Sequence, residues 1–412
     1  MKRRGFLSLL GLGGLGVAAY RYWPDEGLIN PCLAPLPKHL AHDRLIQAAW
    51  EGLDPEQVWD CHVHLIGTGD SDSGIWINPD MLSLAHPIQY AQRKFFLNAA
   101  CADDDTGVDK SYVERLIYLH EGLNPGARLI LLAFDYHYNE SGQRVPELSS
   151  FYTPNEYAAR IAKNYPQRFE WIASIHPYRE DCVTALEWAA QHGARAVKWL
   201  PPAMGMNPSS PLCDRFYEAM VRLNMPLLSH GGDELAVHGA GAQLLGNPLL
   251  LRRALDHGIR VIVAHCASQG SNPDIDKGST APPLTNFALF TRLMEEPRYQ
   301  NLIYGDISAL PQINRAEVIG ALLQHQDWHE RLLNGSDYPL PGVMPLFSMQ
   351  QLVKLGYISE TQAVTLSAIR PYNALLFDFV LKRSIRLEGR RFAAEIFATR
   401  RFFEQRSSTL LG

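Results

Sequence analysis

Two histidines one residue apart supply the first chemistry in this chain. In Trp59-Asp60-Cys61-His62-Val63-His64-Leu65 they stand at i and i+2 of an extended run. Side chains so spaced share one face of a strand, and both imidazoles can reach one metal ion. Alone, the pair is a weak signal, because paired strand histidines also occur as hydrogen-bonded core or surface residues. Four further residues change the reading. His230 follows Leu227-Leu228-Ser229, His265 follows Ile262-Val263-Ala264, Asp337 follows Asn334-Gly335-Ser336, and Lys198 follows Ala196-Val197. Each closes an apolar run, an edge that a core histidine placed by chance has no reason to choose every time. His62, His64, Lys198, His230, His265 and Asp337 are therefore read as the candidate site of one or two divalent metal ions. Imidazole and carboxylate donors suit zinc first, with manganese and iron also accommodated. Such an ion lowers the pKa of a bound water to about 7 and polarises a carbonyl. Asp337 can hold the ion, take the water's proton and hand it to a leaving group. His265 is the second acid–base candidate if it is not a ligand. These tools cleave amides, lactones and related esters of small molecules.

Such residues must be positioned by regular elements, and the chain alternates accordingly. Eight short, nearly continuous apolar runs fall at 58–65, 128–136, 170–176, 194–200, 226–230, 260–265, 301–307 and 331–337. Runs of this kind are parallel strands covered by helices. The stretches between them carry helix signals. Thr153-Pro154-Asn155-Glu156 reads as a capping box, Asn247-Pro248 opens a helix with Gly258 past its end, and Asp181 is placed to cap a helix stopping at Gly193. Eight strand–helix units predict an α/β fold, a closed (β/α)8 TIM barrel over 57–380, with an open doubly wound sheet as the runner-up. Barrel active sites form at the C-terminal strand ends, where all the candidate ligands lie.

The pattern resembles that of the amidohydrolase superfamily: His-x-His on strand one, Lys on four, His on five and six, Asp on eight. Gly335-Ser336-Asp337-Tyr338-Pro339 and the closing Asn373-Ala374 helix look like its amidohydrolase-related branch. That branch also holds decarboxylases resembling aminocarboxymuconate-semialdehyde decarboxylase. The resemblance covers roughly 58–379. It implies that His62, His64 and Asp337 bind one metal, with His230 and His265 completing one or two sites. Lys198 divides the family. In two-metal relatives a carboxylated lysine bridges the ions; in one-metal relatives this position is no ligand. A bare lysine facing the barrel interior is costly, so Lys198 is either carboxylated or paired with a carboxylate. The functional readings are hydrolysis of a C–N or C–O bond, non-oxidative decarboxylation of a small aromatic or unsaturated acid, and a binding-only descendant, which the full ligand set argues against. Metal count separates the first two.

Other residues rank lower. His176 ends the third run and serves either the site or a structural hydrogen bond. His238, in the loop after the fifth, is a candidate substrate contact. Trp199 and Tyr338 alternate to the face that packs on helices. The long polar loop from 267 to 287 is a candidate lid. At the N-terminus, Arg3-Arg4 precedes Gly5-Phe6-Leu7 and an apolar stretch to Tyr20. This predicts a twin-arginine export signal or short anchor over 1–23, with Val17-Ala18-Ala19 a weak cleavage site. The protein is then exported, periplasmic or anchored at the outer face of the cytoplasmic membrane. Residues 24–56 read as linker and cap. Residues 381–412 form a basic, aromatic helical tail, either docked on the barrel with its charges solvated or lying on a membrane surface. The net charge of −5 argues against nucleic-acid partners. The six cysteines show no Cys-x-x-Cys spacing, and most are expected to be small core residues.

Overall fold

All eight apolar runs form strands in the computed structural model, which describes residues 24–102, 106–237, 241–278 and 282–405. The segment 1–23 and His238 lie outside the described residues. The strands are β1 (Trp59–His64), β2 (Arg128–Leu132), β3 (Phe169–Ile172), β4 (Val197–Trp199), β5 (Leu227–His230), β6 (Val261–Ala264), β7 (Ile303–Asp306) and β8 (Leu332–Leu333). β1 to β3 form one parallel ladder and β4 to β8 another. A parallel bridge from Ala173 to Val197 joins β3 to β4, and one from Val63 to Tyr338 joins β1 to the chain after β8. Cys61 N–H to Asn334 O at 3.1 Å, Asp337 N–H to His62 O at 2.7 Å and His64 N–H to Tyr338 O at 2.9 Å complete that seam. The sheet is thus a closed barrel, and the open doubly wound alternative is excluded.

Alternation along the strands builds two apolar layers. Ile130, Leu132, Leu228, Ile262 and Leu333 fill the barrel. Their neighbours Leu129, Leu131, Leu227, Val261 and Leu332 face the surrounding helices. Trp199 and Tyr338 face outward as expected: Trp199 stacks on Phe216 at 5.7 Å and Tyr338 packs on Tyr112 at 6.0 Å between ring centres.

The tail is docked on the barrel, with Arg390, Arg391 and Arg401 exposed, but its first two charges depart from expectation. The last barrel helix, Ala374–Ser384, is buried along its whole length, including Lys382 and Arg383. These charges are not solvated. The Lys382 ammonium contacts Asp378 and the Gly335 carbonyl at 2.6 Å each, and Arg383 donates to the carbonyls of Ala49 and Glu51 at 2.7 Å each. Phe402 and Phe403, in the short helix Arg400–Glu404, join the interior barrel cluster and close its N-terminal end.

Two caps differ as well. Thr153 donates its hydroxyl to the Leu65 carbonyl at 2.8 Å instead of capping Asn155–Asn164. Asp181 is held by the Arg179 guanidinium at 2.7 and 2.9 Å rather than by its own helix. The partner of Thr153 is reached through the fold; that of Asp181 is two residues away, in a guanidinium that also donates to Asp135 at 2.8 Å. Cys61, Cys182, Cys213 and Cys266 are buried and free, but Cys32 and Cys101 form a disulfide. It lies beside Asn30 and Asn98, which exchange hydrogen bonds of 2.8 and 3.0 Å, so the segment after residue 24 is fastened to the end of the helix Pro87–Ala100.

Candidate metal centre at the barrel mouth

The two histidines of β1 face the barrel interior because the strand is irregular. Its register against β2 slips between Asp60 and Val63. Trp59 and Cys61 point inward low in the barrel. One extra residue then resets the alternation, so His62 and His64 also look inward while Val63 and Leu65 pack outward. Lys198 and His230 need no such device, lying two residues beyond the inward Ala196 and Leu228. His265 does need one. Strict alternation after the inward Ala264 would point it outward. Instead the chain takes three left-handed residues, His265, Cys266 and Ala267, with φ of 56°, 48° and 49°. Each costs about 1–2 kcal/mol for a residue with a Cβ, a strain characteristic of functional sites. Asp337, with φ of 61°, is a fourth.

The six sequence-derived residues line one pocket. Asp337 is its hub: Oδ1 lies 3.4 Å from His62 Nε2 and 3.1 Å from His64 Nε2, and Oδ2 lies 3.6 Å from His265 Nε2. Lys198 Nζ lies 3.1 Å from His62 Nε2. His230 stands against His265, ring centres 5.4 Å apart. Ile66, Phe96, Phe151, Leu200 and Leu340 form apolar walls. Among the described residues two trios have donor atoms close enough to share an ion: His62, His64 and Asp337, and His62, His265 and Asp306.

Chemistry favours the first trio. Asp306 is already committed: Oδ2 accepts from His62 Nδ1–H at 2.9 Å, and Oδ1 accepts from the backbone N–H groups of His265 at 2.8 Å and Ser308 at 3.0 Å. It thereby fixes the tautomer of His62 and leaves Nε2 free to face Asp337, the arrangement usual behind a metal-bound histidine. His265 is oriented likewise, its Nδ1 3.1 Å from the Ser308 carbonyl, so its Nε2 lone pair also faces Asp337. Burial lowers the pKa of His62, with Lys198 adding to the effect, and takes His265 down to about 3. Burial and the neighbouring His265 hold His230 well below the ordinary value. His62, His230 and His265 are therefore neutral donors, as metal ligation requires. Burial alone would raise the Asp337 carboxyl, but His62, His265 and His64 hold it well below the usual range.

Asp306, Ser308 and Glu234 were missed by sequence reasoning. Asp306 closes the seventh apolar run, so the rule that selected the other candidate ligands would have selected it too. Glu234, four residues after His230, is buried, lies 3.4 Å from His230 Nδ1 and accepts from the N–H groups of Ala236 and Val237 at 2.6 and 2.8 Å. No spacing rule singles it out. His176 is structural: Nε2 pairs with the Met204 carbonyl at 3.0 Å, and it does not line the pocket. The loop after Ala267 forms a short antiparallel pair, Ser271–Asn272 with Leu284–Thr285. None of its described residues lines the pocket.

Asp306→Asn tests the support role. It should weaken metal binding by about 10–100-fold without removing a ligand, read by competition with a chelator of known affinity. Unchanged affinity would return Asp306 to a purely structural role.

A closed (β/α)8 barrel with imidazole and carboxylate donors gathered at its C-terminal mouth defines a metal-dependent barrel enzyme. The chain belongs to the amidohydrolase family, whose model matches residues 59–355. No curated protein matches it. Solved structures with this fold include an uncharacterised TIM-barrel protein from Bordetella bronchiseptica (14% identity, 74% of this chain and 93% of that one covered, TM-score 0.44). A 4-oxalomesaconate hydratase from Rhodopseudomonas palustris is 15% identical over 77% of this chain and 96% of that one, TM-score 0.40. A 5-carboxyvanillate decarboxylase from Novosphingobium aromaticivorans, bearing manganese, is 11% identical over 85% and 99%, TM-score 0.47. By its family the chain is an enzyme of the amidohydrolase type, a class that small-molecule substrates fit.

Proposed function

We propose that this centre hydrolyses a C–N or C–O bond (an amide, lactone or related ester) of a small molecule with a metal-activated water. The observation that carries the reading is Asp337, one carboxylate in reach of three inward-facing imidazoles. His62 and His64 through Nε2, and Asp337 through Oδ1, would hold the ion, with His230 and Lys198 adjacent. The donor set fits zinc, and manganese or iron can replace it. When bound, the ion supplies an acidified water and a polarised carbonyl. Asp337 takes the proton at its free oxygen and returns it to the leaving group. Asp306 and Ser308 keep His62 and His265 in register, Glu234 steadies His230, and the apolar walls keep bulk water from the intermediate. Elemental analysis of purified protein, followed by an activity screen over lactones, amides and aromatic carboxylic acids, tests the reading. Metal-free protein of full activity would overturn it.

A second reading, non-oxidative decarboxylation at one ion, is favoured by a specific feature. His265 Nε2 faces Asp337 at 3.6 Å and lies outside the first trio, so its lone pair is free to accept a proton and pass it on to carbon.

We also infer export. Arg3-Arg4 before an apolar stretch supports it, as does the Cys32–Cys101 disulfide, since such bonds persist in oxidising compartments. Arg3→Lys together with Arg4→Lys should hold the protein in the cytoplasm, measured by fractionation. Undiminished export would remove the twin-arginine reading.

A further inference from the structure

Resting on the proposed reaction, the substrate class can be narrowed from a second cavity. It has a volume of about 280 Å³ and adjoins the metal pocket, with which it shares Phe96, Ala236 and Leu340. The metal pocket itself encloses about 60 Å³. Together they sit near the lower end of the roughly 300–1,000 Å³ of small-molecule sites. The walls of the second cavity are largely apolar: Phe95, Phe96, Val343 and Leu346 among them.

Three polar side chains of the segment after β7 line it, Gln312, Asn314 and Arg315; Gln312 and Arg315 are buried, 3% and 7% exposed. Each of these two holds a buried donor without a partner, Nε2 of Gln312 and Nε of Arg315. Arg315 donates Nη1–H to the Ser268 hydroxyl at 3.0 Å, and among the described residues it forms no ion pair. Other buried arginines of this chain are treated differently. Arg370 donates to the carbonyls of Pro341, Val343 and Met344 at 2.8, 2.8 and 3.2 Å, and Arg383 to two more, as described above. A buried guanidinium is expensive unless paired and hydrogen-bonded. A guanidinium in a cavity wall with an unpartnered donor makes physical sense if an anion arrives from outside. Ser268 closes the left-handed turn begun at His265, so the guanidinium is anchored to the same turn that aims His265 at Asp337.

We propose that Arg315 and Gln312 form a carboxylate-binding subsite, and that the substrate carries a carboxylate at one end, an apolar body along Phe96 and Leu340, and its reacting bond at Asp337. The guanidinium fork matches the two oxygens of a carboxylate, and the Gln312 amide adds a neutral donor.

The test is calorimetric binding to the metal-loaded full chain, using three acids (acetate, benzoate, isophthalate) against their neutral amides, with inorganic phosphate as a further probe. At least one acid should bind about tenfold or more tightly than its amide, as charge-assisted hydrogen bonds allow. Arg315→Met should abolish that preference with metal content unchanged, and Arg315→Lys should keep part of it. Its melting temperature should not fall, because the side chain removed was an underbonded buried charge. Equal binding of acids and amides overturns the subsite, as does a preference that survives Arg315→Met. A preference lost on chelation but not in Arg315→Met assigns the acids to the ion and also overturns it. Phosphate binding tighter than every acid replaces the carboxylate with a phosphate. Loss of folding in Arg315→Met makes the arginine structural and counts against the proposal. The proposed reaction is judged separately: absence of turnover leaves these binding ratios unaffected.

Discussion

Replacing Asp337 by Asn should leave a folded protein with little metal and turnover reduced by roughly 10⁴-fold or more, the scale on which reaction-centre residues act. The backbone should tolerate the change. Asp337 is left-handed, with φ of 61°, and Asn adopts that conformation about as readily as Asp. Its N–H bond to the His62 carbonyl at 2.7 Å is a main-chain contact and survives. What disappears is the negative charge shared by His62, His64 and His265, and with it both the strongest attraction for a divalent cation and the acceptor for the water's proton. His62→Ala should act in the same direction by removing a ligand, while stranding the buried Asp306 carboxylate, so some loss of stability is expected as well. Metal content is read by elemental analysis and folding by circular dichroism. Full metal retention in both variants would dissolve the assigned centre.

Lys198→Ala should divide the two mechanisms. The side chain is 1% exposed, its Nζ touches His62 Nε2 at 3.1 Å, and burial lowers its pKa. A lowered pKa increases the neutral amine available to combine with carbon dioxide, which yields a carbamate and one proton. If Lys198 is carboxylated, the variant should fall from two ions towards one, lose most turnover, and recover part of it with added short-chain carboxylic acids. Stability should hold, since no carboxylate contacts the ammonium among the described residues. If the wild type carries one ion and the variant keeps it, the two-ion hydrolytic scheme fails. His265 then stands as an acid–base residue without a metal, and decarboxylation becomes the better account.

The strands and most of the site were legible because they are written locally. Apolar runs mark the strands, and a polar residue closing such a run marks the mouth of the barrel. Lys198 and His230 obey simple alternation and required nothing more. His62 and His265 reach the site by exceptions, a bulge in β1 and a left-handed turn after β6, which no periodicity announces. Asp306 acts on His62 from 244 positions away, and the open donors of Arg315 are visible only once its surroundings are assembled. Thr153 carries a cap signature that a tertiary contact overrides, and Asp181 one that its neighbour Arg179 overrides. Cys32 and Cys101 are 69 positions apart, and their pairing depends on the course of a segment without strong local signals.

The aromatic floor of the barrel has a consequence for synthesis. Trp59 opens the first strand, yet its backbone N–H is satisfied at 3.2 Å by the Thr399 hydroxyl, 340 residues later, and its ring stacks on Phe403 at 6.5 Å. Phe402 is tied down in turn by the Arg260 guanidinium at 2.8 Å. Until the ribosome has passed Phe403, every partly made barrel has an open base, with Trp59, Leu228 and Ile262 wet and a strand-one donor unmet. Native packing therefore cannot be finished during elongation, as an N-terminal domain's can. A premature stop just before Thr399 would keep every catalytic residue and still release a leaky, aggregation-prone chain.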